Sequence, residues 1–147
     1  MTQLSVNELY VISDLHIGGK DRQIFAGKTQ LPWLLDQLFA KAKPETTIAL
    51  VINGDFIDFL AEDDAKYFDA EGAVEKLNRI GNDASFSASF AALGRFASQP
   101  HCTLVINLGN HDLEWTHFIL DRRCVPMLPR AEMFRAFATP IGWTTKT

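Results

Sequence analysis

The sequence predicts an α/β fold in which helices pack against a largely parallel sheet. Three short apolar runs carry this prediction, and segments with helical periodicity separate each run from the next. A continuous apolar run without alternation is typical of a strand that is buried on both faces, as in a parallel sheet. Strands that alternate with helices imply βαβ units with right-handed crossovers.

The first half of the chain contains two of these strands, with one helix between them. The first strand is expected at Leu9 to Ser13, and a polar loop with several glycines follows it from Gly18 to Thr29. Pro32 suits the first turn of a helix, and leucines then recur at helical spacing as far as Lys41. The second strand is expected at Thr47 to Asn53.

The second half contains the third strand and the remaining helices. Two helices are expected at about Glu71 to Ile80 and Ser85 to Ala97, and the third strand lies within His101 to Leu108. A further helix is expected at Leu113 to Arg123, and one more short helix at Ala131 to Ala138. In the helices that precede the third strand, apolar residues recur at a period close to that of the α-helix.

Length, charge and cysteine content narrow the class of protein. The chain of 147 residues fits a single domain, and its net charge of −4 argues against a nucleic-acid or anionic-membrane binder. Cys102 and Cys124 do not have metal-ligand spacing, which favours free thiols in a reducing compartment. The N-terminus is not a signal peptide, and no apolar run reaches the roughly 20 residues that span a bilayer. We therefore expect no membrane span and a cytoplasmic location.

Each predicted strand ends in side chains that ligate metals or carry protons. In chain order these side chains are Asp14 and His16, then Asp55 and Asp58, then Asn110, His111 and Asp112. Because the carboxyl ends of parallel strands form the ligand crevice of an α/β sheet, we expect the three groups to converge. Carboxylate, imidazole and amide oxygen together suit divalent cations such as Mn, Fe, Zn or Mg.

The spacing within these groups predicts how an ion is held. In an extended segment, residues i and i+2 project to the same side, so Asp14 and His16 can grip one cation while Leu15 turns into the core. The carboxylate of Asp55 has two oxygens and can bridge two cations. Two cations about 3.5–4 Å apart can clamp both the attacking and the leaving oxygen of a phosphoryl transfer.

The motifs DLH at 14–16, GDFID at 54–58 and GNHD at 109–112 resemble the first three motifs of the calcineurin-like metallophosphoesterase superfamily, in the same order. This resemblance implies the N-terminal half of an α-β-β-α sandwich with a dinuclear centre of two divalent metal ions. It also implies an enzyme that hydrolyses a phosphomonoester, phosphodiester or pyrophosphate bond. The expected substrate is a small-molecule phosphate ester or a nucleotide.

The same resemblance implies a metal-binding role for four residues of this chain. Asp14 and His16 would hold the first metal, Asp55 would bridge both metals, and Asn110 would bind the second.

It further implies a catalytic role for the residues that follow Asn110. His111 would stabilise the transition state or protonate the leaving alkoxide, and Asp112 would orient His111 and tune its charge. Asp58 has two open interpretations, since it either assists the site or caps the segment that follows it.

The later motifs of the superfamily, a lone histidine and a G-H-x-H, are absent after Asp112, where only His117 remains. We therefore expect residues 1–147 to be a single domain truncated at its C-terminus, with an incomplete second metal site and an uncertain activity on its own. The alternative is a non-catalytic phosphoesterase-like scaffold that binds a partner. A sheet edge left open by the missing half would also favour self-association.

Three remaining features are assigned to structure rather than to function. His101 precedes a strand beside a proline and is expected to be structural or exposed to solvent. The residues Glu62 to Asp64 are expected to form a solvated acidic loop. The stripe of Phe86, Phe90 and Leu93 has helical spacing and is expected to be a core face.

Overall fold

A computed structural model describes residues 5–63, 66, 69 and 72–114 of the chain. The two helices predicted after Asp112 fall wholly or mostly on residues 115–147, outside the described part. His117 and Cys124 lie outside it as well.

Three strands form a parallel sheet in the order β1-β2-β3. They are β1 (Glu8–Ile12), β2 (Ile48–Asn53) and β3 (Cys102–Asn107). The register pairs Ile12 with Ile52, so β1 and β2 end at the same edge of the sheet, where the polar motifs begin. The predicted α/β class and the parallel pairing are confirmed.

Three α-helices accompany the sheet: α1 (Gln30–Lys41), α2 (Ala73–Asn82) and α3 (Ser87–Ala97). Short 3₁₀ turns at Phe59–Ala61 and Asn110–Asp112 follow β2 and β3. The helices lie where the apolar periodicity predicts them. In the described ranges, no helix is long and apolar enough to cross a membrane.

The core lies between the helices and one face of the sheet. Helix α3 packs against both α1 and β3. Its residues Phe86, Phe90 and Leu93 are at most 2% exposed, which confirms that this stripe is a core face. Apolar side chains from α1 and from the central strand β2 complete the same cluster.

The expectation that all three strands are buried on both faces is wrong for β1. Leu9 and Val11 are 58% and 59% exposed, whereas Ile48, Ala49 and Leu50 of β2 are fully buried. Leu9 and Val11 alternate with Tyr10 and Ile12, which pack against the core, so they lie on the opposite face of β1, an outer strand of the described sheet. An apolar run therefore did not distinguish an edge strand from a central one.

The prediction of a solvated acidic loop is wrong at one residue, Glu62. Glu62 is only 9% exposed, and its carboxylate accepts hydrogen bonds from the Gly19 backbone and the Arg79 guanidinium. The neighbouring Asp63 is exposed, as expected, and Asp64 lies outside the described residues.

We predict that Leu35→Ala will lower the free energy of unfolding by about 2–5 kcal/mol, because it empties a core position. Leu35 is 1% exposed and lies on the buried face of α1. Trp33→Ala on the same helix is the matched control, because Trp33 is 64% exposed, and its effect should be within about 0.5 kcal/mol. Denaturant unfolding measures both values, and equal losses for the two variants would contradict this packing of α1.

Candidate metal centre

The loops that follow β1 and β2 continue the parallel pairing of the two strands. The His16 N–H donates to the Asp55 carbonyl at 2.8 Å, and the Ile17 N–H donates to the Phe56 carbonyl at 3.0 Å. The Asp58 N–H returns a bond to the Ile17 carbonyl at 3.1 Å. These bonds place the first motif directly beside the second.

A buried carboxylate joins the second loop to the third. Asp112 is fully buried and accepts hydrogen bonds from the backbone N–H groups of Phe56 at 3.0 Å, Ile57 at 2.7 Å and Gly109 at 3.0 Å. Two of these donors follow β2 and one follows β3. The loops at the ends of both strands are therefore held together by one side chain.

Asp55 makes a second connection between the same loops. Its Oδ1 accepts the His111 N–H at 3.0 Å, and its backbone lies directly against Gly109. A Cβ atom at Gly109 would stand 2.1 Å from Asp55 Oδ1 and 2.4 Å from Asp55 N. Only glycine fits there, because any side chain would push the two motifs apart.

The three residues expected to hold or bridge the first metal share an uncommon backbone conformation. Asp14, His16 and Asp55 have φ angles of 54°, 50° and 48°, and they are the non-glycine residues with positive φ in the described ranges. Such left-handed residues cost on the order of 1–3 kcal/mol each and concentrate at functional sites. The first motif is therefore not the extended segment that the sequence predicted, although Leu15 does pack against the core.

These left-handed turns bring three ligand atoms together. One ligand atom each from Asp14, His16 and Asp55 lies within 4.8 Å of the others. His16 Nε2 is 3.7 Å from Asp55 Oδ2. Two carboxylates and one imidazole on a partly exposed surface are a donor set that suits a divalent cation of the Mn, Fe, Zn or Mg type.

A second cluster consists of His16, Asp58 and His111. Asp58 Oδ2 is 3.2 Å from His16 Nδ1, and Asp58 Oδ1 is 2.9 Å from His111 Nδ1. An ionised carboxylate can only accept, so each imidazole donates from Nδ1 and keeps Nε2 for another partner. We interpret this cluster as a hydrogen-bond network that orients the histidines, rather than as a separate ion site.

The contacts of Asp58 agree with both interpretations that the sequence left open, and its role in the site stays a prediction. Its side chain is 4% exposed and contacts both histidines of the site. Its Oδ1 also accepts the Ala61 N–H at 3.1 Å, which caps the 3₁₀ turn. The apolar neighbours Ile57 and Phe59 are the sequence signal that could have identified Asp58 as a buried acid.

The structure differs from the prediction that Asp112 orients His111. The carboxylate that contacts the His111 ring is Asp58, whereas Asp112 binds backbone N–H groups. The reason is geometric, since successive side chains of a 3₁₀ turn point in different directions. Asp112 thus positions the loop that carries His111 and, among the described contacts, makes no bond to its ring.

Charge around His111 favours its protonated form. Burial by itself would lower the pKa of His111, but the hydrogen bond and charge of Asp58, with added charge from Asp55 and Asp112, raise it above the usual histidine range. Burial also raises the pKa of Asp112, against the opposing effect of its three backbone hydrogen bonds.

Asn110 lies at the start of the same 3₁₀ turn as His111, at the carboxyl end of β3, and it is exposed. Its position agrees with a ligand role, which stays a prediction. His101 lies at the opposite end of β3 from these residues.

The family comparison agrees with this geometry. The model of the calcineurin-like phosphoesterase family matches residues 8–143, and the chain belongs to that family. The match confirms the resemblance to this family. No match was found among curated proteins or among solved structures.

We predict that Gly109→Ala will lower the free energy of unfolding by about 1–3 kcal/mol and weaken metal binding, because the new Cβ overlaps Asp55. Gly81→Ala is the matched control, because a Cβ there meets nothing within 4 Å. In helix α2 it should instead stabilise by about 0.5–1 kcal/mol. Thermal unfolding and Mn²⁺ titration measure the two effects, and a Gly109→Ala protein as stable as Gly81→Ala would contradict the close approach.

Proposed function

We propose that the protein hydrolyses phosphate esters through a dinuclear metal centre at the carboxyl ends of its three strands. The observation that carries this proposal is the convergence of Asp14, His16 and Asp55 beside His111, which Asp58 orients. Family membership supports a metal-dependent phosphoesterase in general. The number of metal ions and the kind of ester belong to the proposal.

The donor atoms fit the proposed ions. Asp14, His16 and Asp55 would hold the first cation, and Asp55 with Asn110 would contribute to the second, which has fewer proposed ligands among the described residues. When bound, such cations supply Lewis acidity that activates water and neutralises charge on phosphoryl oxygens. Mn, Fe, Zn and Mg all remain candidates for this donor set.

His111 is the proposed proton donor to the leaving group. Its Nδ1 is committed to Asp58, so Nε2 is the nitrogen that can face a substrate. Burial acts to lower the pKa of His111, but the Asp58 carboxylate raises it, and the protonated ring is the form that acts as a general acid. The side chain is 28% exposed, so a substrate can reach it.

The substrate that we propose is a small-molecule phosphate ester or a nucleotide. The net charge of −4 offers no general attraction for nucleic acid. The cytoplasmic location, the truncated single domain and self-association through a sheet edge stay predictions from the sequence.

We predict that Mn²⁺-dependent hydrolysis of an aryl phosphate will disappear in Asp55→Ala and fall about 10²–10⁴-fold in His111→Ala. His101→Ala is the matched control, because β3 separates His101 from the site, and its turnover should be unchanged. Steady-state kinetics with purified variants measure the three values. Wild-type turnover in Asp55→Ala would refute the proposed site, and metal binding without any wild-type turnover would favour a binding scaffold.

We also predict that Asp58→Asn will lower kcat by about 10–100-fold, because an amide has one acceptor oxygen for two imidazole donors. Asp36→Asn is a suitable control, because Asp36 is an exposed acid of α1 that pairs with Arg95. Kinetics at saturating Mn²⁺ separate this effect from weaker metal binding. Equal kcat values for the two variants would show that the Asp58 contacts do not matter for turnover.

A further inference from the structure

We infer that Glu62 is a positioning residue for the metal centre, because its carboxylate holds the backbone that follows His16 in place. This inference rests on the proposed function only in that the site binds a metal ion. Glu62 lies outside the three motifs and is four residues beyond Asp58.

Glu62 joins two parts of the molecule through its carboxylate. Oε1 accepts the Gly19 N–H at 3.0 Å, and Oε2 accepts Arg79 Nε at 3.1 Å. The Glu62 side chain is 11% exposed and the Arg79 side chain 39% exposed. A buried acid with one oxygen on a loop and the other on α2 ties that loop to the helix.

The loop that follows His16 packs closely against the segment that follows Asp58. A Cβ at Gly18 would stand 2.6 Å from the Asp58 carbonyl oxygen, and a Cβ at Gly19 would stand 2.8 Å from the Ala61 Cβ. Gly19 also has a φ of +72°, in the left-handed region that glycine tolerates best. The two glycines therefore allow the loop after His16 to pack directly against residues 58–62. Glu62 holds this loop through its hydrogen bond to the Gly19 N–H.

The Glu62 hydrogen bond matters for His16 because the backbone of His16 is strained. His16 has a φ of +50°, which persists only if the neighbouring backbone is held on both sides. The segment after it is held by Ile17, which is fully buried and hydrogen-bonded to the second loop, and by the Glu62 bond at Gly19. Loss of the Gly19 bond would let the turn relax and move the imidazole away from Asp14 and Asp55.

Thermodynamic linkage turns this into a measurable effect. If the Glu62 bond favours the metal-binding arrangement, metal must stabilise the Glu62 bond by the same factor. If Glu62 had only a structural role, its substitution would lower the free energy of unfolding and leave the affinity of the folded protein for metal unchanged.

The test compares three variants of the full chain by calorimetric titration with Mn²⁺ in the absence of substrate. Glu62→Met is similar in size but offers no acceptor oxygen, whereas Glu62→Gln keeps one for the Gly19 N–H. Asp63→Ala removes the adjacent exposed acid, for which the described residues show no hydrogen bond or ion pair. Circular dichroism confirms that each variant is folded at the titration temperature.

We expect Glu62→Met to weaken Mn²⁺ binding about tenfold, at the lower end of the range for residues that support metal ligands. Glu62→Gln keeps an acceptor for the Gly19 N–H but loses the Arg79 bond, so its loss of affinity should be clearly smaller, and Asp63→Ala should bind as the wild type does. Wild-type affinity in folded Glu62→Met would overturn the inference, and so would a loss in Glu62→Gln as large as in Glu62→Met.

A second measurement covers the case in which Glu62→Met does not fold. Hydrogen exchange of the wild-type peptide that contains Gly19 should slow when Mn²⁺ is added, and equal exchange with and without metal would overturn the inference. Because neither readout involves turnover, a wild-type protein that binds Mn²⁺ but hydrolyses nothing would refute the proposed function and leave this inference intact.

Discussion

The carboxylate of Asp112 is the interaction on which the rest of the site depends. It binds three backbone N–H groups, two from the loop after β2 and one from the loop after β3. A buried N–H group without a partner costs about 1–3 kcal/mol, so these loops could not sit this close without such an acceptor. Once the loops are joined, Gly109 meets the Asp55 backbone and Asp55 accepts the His111 N–H.

These contacts between the loops also explain how the chain maintains backbone strain at its proposed metal ligands. Left-handed turns at Asp14, His16 and Asp55 would relax if the loops were free. They are not free, because Phe56 and Ile57 beneath them are fully buried and carry the backbone bonds between the loops. The hydrophobic core thus stabilises the positions of the polar residues above it, and the site is arranged largely by the protein itself.

Much of this arrangement could be predicted from the sequence, and the exceptions share a cause. Apolar runs and strand-end polar residues predicted the parallel sheet, the helices and the convergence of the motifs, because these depend on periodicity and chain topology. The directions of individual side chains were not predictable. Spacing alone did not show that Asp112 turns to the backbone while Asp58 contacts His111, or that Glu62 is buried. It also did not show that His16 is left-handed, since that depends on contacts between loops that are distant in sequence.

Asp58 links the two chemical tasks that the site would perform. One oxygen contacts His16, a proposed metal ligand, and the other contacts His111, the proposed proton donor. The two imidazoles also meet edge to face, with ring centroids 4.6 Å apart. A shift of either ring would therefore move the carboxylate that contacts the other, so the proposed metal placement and proton delivery would be coupled through one side chain. Residues that share a partner in this way show non-additive effects when they are substituted together. The three side chains therefore form one unit, and the contribution of each has meaning only while the other two are in place.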